Sequence, residues 1–160
     1  THVAGAHAGV VIKNTLFRLP AKADHDGVPR VTYTAPELAQ VGPTEADLRA
    51  AGTAFGVLRW PYAENDRAQA ERSVDGFAKV LVAPNGRILG ATVVGDAAGE
   101  LISIWALAIS QRLKVGALAG LVVPYPTRAE IIKRAASSWY VPKLFGDRTR
   151  AVVRFLMRFA

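Results

Sequence analysis

The chain has 160 residues, of which 51% are hydrophobic; that length suits one domain with a core of its own, and the composition excludes an intrinsically disordered segment. It has no cysteine, which excludes disulfides, a thiol nucleophile, a redox dithiol and thiolate metal ligands within these residues, and makes a reducing cytoplasm the simplest compartment. The formal charge of +7 gathers at one end, with eight basic and two acidic residues in 128–160 against twelve and eleven in 1–127, and so nearly neutral a body argues against a groove-binding nucleic-acid domain.

In chain order, Thr1 to Phe17 reads as a helix of small and apolar residues, with Val3, Ala4, Val10, Val11 and Leu16 able to share one side. The chain starts at Thr1, its single methionine is Met157, and no signal segment precedes a cleavage site. An abrupt, uncapped start suggests a helix that belongs to something upstream. Pro20 ends it, and Ala21 to Gly27 reads as a polar linker. Arg30 to Thr34 alternates like a short strand. Thr44 is an N-cap for a helix that stops at Gly52. Ala54 to Tyr62 is a strand, and Glu64 to Glu71 a short helical turn. Phe77 to Ala83 and Arg87 to Val94 are strands joined by Pro84-Asn85-Gly86, a hairpin signal.

A long helix follows from about Ala97 to Arg112, its broad apolar face made by Leu101, Ile102, Trp105, Ala108 and Ile109. A shorter helix covers Val115 to Leu121. Pro124 and Pro126 break the chain, and the uncharged stretch from Val115 to Thr127 is too short to cross a bilayer. Thr127 is expected to cap a helix from Arg128 to about Trp139, with Glu130 at the third position of a capping box. Strands in the middle and helices at the end imply an α+β fold with an antiparallel sheet.

Several motifs, in order, resemble a known family. Thr34-Ala35-Pro36-Glu37 through Val41-Gly42 and Thr44-Glu45, then Asn65-Asp66-Arg67-Ala68, then Gly76-Phe77 with Lys79-Val80-Leu81 are similar to the C-terminal dimerisation domain of the pyridine nucleotide–disulfide oxidoreductases, which include glutathione reductase, dihydrolipoamide dehydrogenase and mercuric reductase. Ile88-Leu89-Gly90-Ala91, Val94-Gly95, Ala98-Gly99-Glu100-Leu101-Ile102 and Pro124-Tyr125-Pro126-Thr127 with Glu130 continue the resemblance, which covers roughly Val28 to Ser138. Thr1-His2-Val3-Ala4 resembles the last helix of the family's FAD domain, whose N-terminus approaches the flavin. The resemblance implies three parts: the end of an FAD-domain helix plus linker (1–27), a dimerisation domain (28–140) and a basic amphipathic tail (141–160).

The resemblance also implies a function. Such enzymes pass a hydride from NAD(P)H to FAD and then electrons to a substrate. Their C-terminal domain forms a two-fold homodimer and completes the partner's active site. FAD and nucleotide domains of the same polypeptide are then expected upstream. No Gly-x-Gly-x-x-Gly follows a strand here, so the chain alone is expected neither to hold FAD tightly nor to turn over. Thr1, His2, Val3, Tyr125 and Pro126 are the expected cofactor-facing residues, and Tyr125 and Glu130 the expected catalytic pair.

Tyr125 departs from the family's disulfide reductases, which place histidine there with a glutamate partner five residues on. Histidine titrates near neutrality, whereas a tyrosine with a reference pKa of about 10 is a poor base at pH 7. Two readings stand. Tyr125 points into the partner's site with Glu130 in support, or it is a packed aromatic on a proline-bounded turn while Glu130 closes a capping box. Mercuric reductases also carry tyrosine here but have a C-terminal cysteine pair for the metal. This chain ends in Met157-Arg158-Phe159-Ala160 with no cysteine, which implies a mercuric-reductase-like member with a different acceptor.

Other residues carry weaker signals. His2 and His7 point roughly 140° apart on a helix and make poor joint metal ligands; no metal site is expected. His25 reads as solvated linker. Asp66 and Arg67 could form a surface ion pair. Trp60, Trp105 and Trp139 read as core or interface anchors. In the tail, Arg150, Arg154 and Arg158 recur every four residues, with Val152, Val153, Phe155, Leu156 and Phe159 mostly elsewhere around the helix. Such a helix either packs on a domain or lies on an anionic membrane surface through residues 143–160. It resembles tails of flavoenzymes that also carry an integral membrane domain. Two alternatives to the enzyme remain: a stand-alone dimerisation module without catalysis, and a peripheral membrane protein anchored by this tail.

Overall fold

The computed structural model describes residues 1–25 and 27–159; the parts of the linker and tail that fall on Asp26 and Ala160 lie outside the described residues. A five-stranded, wholly antiparallel sheet forms the centre. Its strands are β1 (Arg30–Thr32), β2 (Glu37–Val41), β3 (Gly56–Pro61), β4 (Phe77–Val82) and β5 (Ile88–Gly95), in the order β1-β2-β5-β4-β3. The β4–β5 hairpin closes at Pro84-Asn85-Gly86, with Gly86 at φ 86°, as expected of an Asn-Gly turn.

β2 is an addition to the sequence reading, which assigned Glu37–Val41 only to a motif. Five residues carrying a glutamate and a glutamine give a weak strand signal. Their alternation becomes visible in burial, since Ala39 and Val41 point into the core while Leu38 is exposed. Gly42 ends the strand at φ 71°, and a Cβ there would lie 2.4 Å from the Leu89 carbonyl oxygen. Only glycine fits.

The helices are α1 (His2–Thr15), α2 (Glu45–Ala50), α3 (Asp66–Ala70), α4 (Ala98–Ser110), α5 (Val115–Ala119), α6 (Glu130–Ser137), α7 (Val141–Leu144) and α8 (Asp147–Leu156). The cap of α2 is the expected one: Thr44 and Asp47 form a full capping box. α4 lies over β2 and β5, and α6 over β3 and β4. Leu101, Ile102, Trp105 and Ala108 of α4 join Ile131, Ile132, Ala135 and Ala136 of α6 against Val80, Val82, Ala91 and Val93 of the sheet. Trp105 is fully buried, as an anchor should be. Trp60 and Trp139 are half-buried against the same core.

One expectation is corrected, the cap of α6. Thr127 does not close a box with Glu130, because its hydroxyl donates to the Pro124 carbonyl at 2.7 Å. The helix therefore starts three residues later than its expected cap, with Ala129 at the N-cap and Glu130 as the first helical residue. α1 has no fully buried residue, with Val3, Gly9 and Val10 half-buried. α8 likewise has no buried residue, and Val152, Phe155, Leu156 and Phe159 are exposed, so of the alternatives for the tail, packing on this domain is not the one seen.

Candidate functional site

The turn 124–127 projects Tyr125 from the surface, 70% exposed. The peptide bond between Tyr125 and Pro126 is cis. Its phenol donates to Asp66 Oδ2 at 2.8 Å. The phenol's hydrogen-bond partner is therefore Asp66, where Glu130 was the expected support. Glu130 is half-buried at the start of α6, and no hydrogen bond joins it to Tyr125 among the described residues. An Asp66–Arg67 ion pair is overturned, since Arg67 bonds Glu71 at 2.6 Å through Nε. An (i, i+4) carboxylate is nearer on a helix than a neighbour that points another way.

Below the turn lies a polar scaffold. Asn65 is the buried polar residue, 4% exposed. Its Oδ1 accepts from the Ala68 amide at 3.0 Å and so caps α3, while its Nδ2 donates to the Thr127 carbonyl at 3.1 Å. The same side chain thus fixes the start of the helix bearing Asp66 and the turn bearing Tyr125. Arg128, next along, donates through Nη2 to Asp96 Oδ2 at 2.6 Å and pairs with Glu71. Asp96 also accepts from the Ser73 hydroxyl at 3.1 Å, and its carbonyl accepts from the Tyr62 phenol at 2.8 Å.

Electrostatics follow the contacts. The hydrogen bond to Asp66, and then its charge, hold the Tyr125 phenol above the ordinary tyrosine range. A phenol so placed is a neutral hydrogen-bonding group at pH 7, not a base. Tyr62 is pushed upward too, chiefly by burial.

Thr1 and His2 are exposed and Val3 half-buried. The His2 ring meets the Pro29 carbonyl at 2.9 Å, and no hydrogen bond joins residues 1–3 to the 124–127 turn among the described residues. His7 and His25 meet edge to face at 5.4 Å, and His25 is exposed, as expected of a solvated linker residue. No group of three His, Cys, Asp or Glu could hold a metal among the described residues, and no helix of theirs is long and apolar enough to cross a membrane. Sequence reasoning missed Asp66 as the tyrosine's partner, and missed Asn65, Arg128 and Asp96 altogether as site supports. Asn65-Asp66-Arg67-Ala68 was visible as a motif, yet nothing in it shows a contact 59 residues away.

Comparison with known proteins places these features. The sequence profile of the pyridine nucleotide-disulphide oxidoreductase dimerisation domain matches residues 28–136. A dihydrolipoyl dehydrogenase of Trypanosoma brucei brucei is 38% identical over 133 residues, covering 82% of this chain and 28% of that protein. Dihydrolipoyl dehydrogenase 3 of Pseudomonas putida is 36% identical over 118 residues, covering 73% of this chain and 25% of that one. Among solved structures, LpdA of Mycobacterium tuberculosis superposes with a TM-score of 0.79 at 27% identity, over 85% of this chain and 30% of that one. The HOCl-induced flavoprotein disulfide reductase RclA of Escherichia coli superposes with a TM-score of 0.72 at 26% identity, over 81% and 30%. The chain thus spans between a quarter and a third of the length of these relatives.

Proposed function

The chain belongs to the pyridine nucleotide–disulfide oxidoreductase family through its dimerisation domain, and on that premise we propose that it dimerises an FAD-dependent NAD(P)H oxidoreductase and completes the partner subunit's active site with Tyr125. The exposure of Tyr125, held by Asp66 on a braced turn, carries this reading. A large aromatic with a satisfied hydroxyl but no covering side chains is arranged to meet something outside its own domain. The reading is mercuric-reductase-like at this position, with tyrosine in place of the histidine of disulfide reductases. Its electron acceptor is then one that needs no proton shuttle at neutral pH from this residue.

The residues present fit an edge of FAD and not its cradle. Gly5 and Gly9 lie within α1, and a Cβ built on either meets nothing within 4 Å, so neither marks the close backbone approach that a pyrophosphate requires. The first turn of α1 has no acidic residue, and Thr1 makes no side-chain cap. Its free N–H groups suit an electron-rich ring. Thr1, His2 and Val3 would approach FAD there, with Tyr125 and Pro126 supplied across the dimer and Glu130 behind the turn. FAD, when bound by the whole enzyme, takes up a hydride from NAD(P)H and passes electrons on. The roles of this chain are to orient, to cover and to present the Tyr125 ring, whose hydroxyl donates its one hydrogen bond to Asp66 and offers an acceptor oxygen. The 160 residues alone neither hold FAD tightly nor turn over.

Subunit complementation tests this. A full-length chain with Tyr125→Ala is mixed with a full-length chain disabled in FAD binding. If Tyr125 serves the partner, the hybrid has one complete site and activity returns. If activity stays lost while dimers form, Tyr125 does not act across the interface.

A second reading concerns the tail. α8 exposes Val152, Val153, Phe155 and Leu156 beside Arg150 and Arg154, which suits the surface of an anionic membrane. Vesicles containing phosphatidylserine should retain the intact protein and lose it when residues after Pro142 are deleted; retention after deletion would exclude the tail.

A further inference from the structure

A concavity of about 610 Å³ opens where His25, Val28 and Arg30 meet the start of α2, the first residues of β5 and the end of α4. Its size lies in the range of small-molecule sites. Arg30 of β1, Arg87 just before β5 and Arg112 after α4 line it, together with His25 and the apolar side chains of Leu48 and Ile109. No lining residue belongs to the Tyr125 turn or its scaffold, so a ligand held here is independent of any role for Tyr125.

Three arginines from separate parts of the chain line it, all exposed, and among the described residues none has an ion-pair partner. Elsewhere Arg49 has Glu45, Arg67 has Glu71, and Arg128 has both Glu71 and Asp96, while others such as Arg59, Arg72 and Arg134 have no ion pair among the described residues; what sets the three apart is the concavity they share. The one carboxylate in the wall, Asp47, is already engaged by the amide and hydroxyl of Thr44 at 2.8 and 2.7 Å. Arg30 acts on Asp47 through its charge alone, and less than those hydrogen bonds do. Arg112 stands at φ 52°, in the helix-ending position that glycine usually fills. The C-terminal end of α4 favours a cation there, but it accounts for only one of the three. Arginines and apolar side chains lining one concavity match oxyanions attached to a carbon skeleton.

We propose that this cavity binds a small organic polyanion, with phosphate or carboxylate groups on Arg30, Arg87 and Arg112 and its skeleton or ring over Leu48 and Ile109. Because the three arginines are exposed, binding weakens as salt rises.

Calorimetric titration of the full-length protein with inorganic pyrophosphate, ADP and citrate tests the proposal. The expected result is saturable binding of at least one probe at low salt. Arg87→Ala and Arg112→Ala should each weaken it about tenfold, as loss of a charge-assisted contact does, while Arg154→Ala on α8 leaves it unchanged. Pyrophosphate and ADP without citrate would identify a phosphorylated ligand; citrate without them, a polycarboxylate. ADP binding that survives both pocket substitutions belongs to another site. The proposal is overturned if no probe saturates at millimolar concentration, if the pocket substitutions change nothing, or if Arg154→Ala weakens binding equally.

Discussion

Tyr125 and Asp66 meet at 2.8 Å although 59 residues separate them. Their contact links the turn before α6 to the first residue of α3, and Asn65 makes the same link one residue earlier through the Thr127 carbonyl. The tyrosine's position is therefore set twice, by its own hydroxyl and by the backbone beneath it. That arrangement fixes the direction of the ring and leaves the hydroxyl oxygen as an acceptor, which suits a group that must meet a surface it does not itself build.

The first expected outcome concerns that phenol. Asp66 holds its pKa above the ordinary tyrosine value. A group with a raised pKa keeps its contribution to the folded state below the unfolded value of about 10 and loses it as pH rises through the folded value. Tyrosinate absorbance should therefore develop at lower pH in Asp66→Asn than in the parent, with Tyr125→Phe identifying the phenol concerned. Identical titrations of Asp66→Asn and the parent would mean the contact is not made in solution.

Arg128 is the hub of the supports beneath the turn. One nitrogen serves Asp96 and Glu71, and its side chain is only 19% exposed. Arg128→Ala leaves two carboxylates close together with no cation between them. A loss of about 1–3 kcal/mol is expected, the scale for contacts to charged groups that are partly shielded. Urea denaturation measures it. A change within error would show that solvent replaces the arginine without cost.

The fold was largely legible because its signals are local. The Asn-Gly turn, the Thr44 cap and the apolar face of α4 each announce an element within a few residues. β2 was missed because a five-residue strand flanked by Pro36 and Gly42 carries its pattern in small and polar residues, and its neighbour β5 lies some fifty positions away. The α6 cap failed for the opposite reason. Thr127 and Glu130 have the right spacing, but a competing acceptor, the Pro124 carbonyl, takes the hydroxyl first. The site was half legible. Tyr125 was found through its motif, while Asp66 as its partner depends on how α3 and the 124–127 turn come together, which no spacing in the chain records.

Gly95 connects the sheet to this scaffold. It stands at φ 144°, and a Cβ added there would come within 2.5 Å of the Tyr62 ring. That ring is 1% exposed and its hydroxyl is tied to the Asp96 carbonyl, so it cannot swing aside. Gly95→Ala should cost about 2–4 kcal/mol, from overpacking and a left-handed conformation together. It should also lower the pH at which Tyr125 ionises, if the displaced Asp96 loosens Arg128 and the turn. Thermal unfolding and the tyrosinate titration read the two effects separately. Full stability in Gly95→Ala would contradict the packing described.

The tail gives the last expectation. Among the described residues, α7 and α8 bury no side chain, and the family match ends at residue 136. Apolar surface that is exposed in the folded state and in the unfolded chain contributes nothing to the difference between them. Deleting residues 146–160 should therefore leave the unfolding free energy of the domain unchanged within about 0.5 kcal/mol, while removing exposed Phe155, Leu156 and Phe159 should raise solubility. Chemical denaturation of the shortened and intact chains decides it. A marked loss of stability on deletion would show that α8 packs on this domain after all, and would remove the ground for assigning its apolar side to a membrane surface.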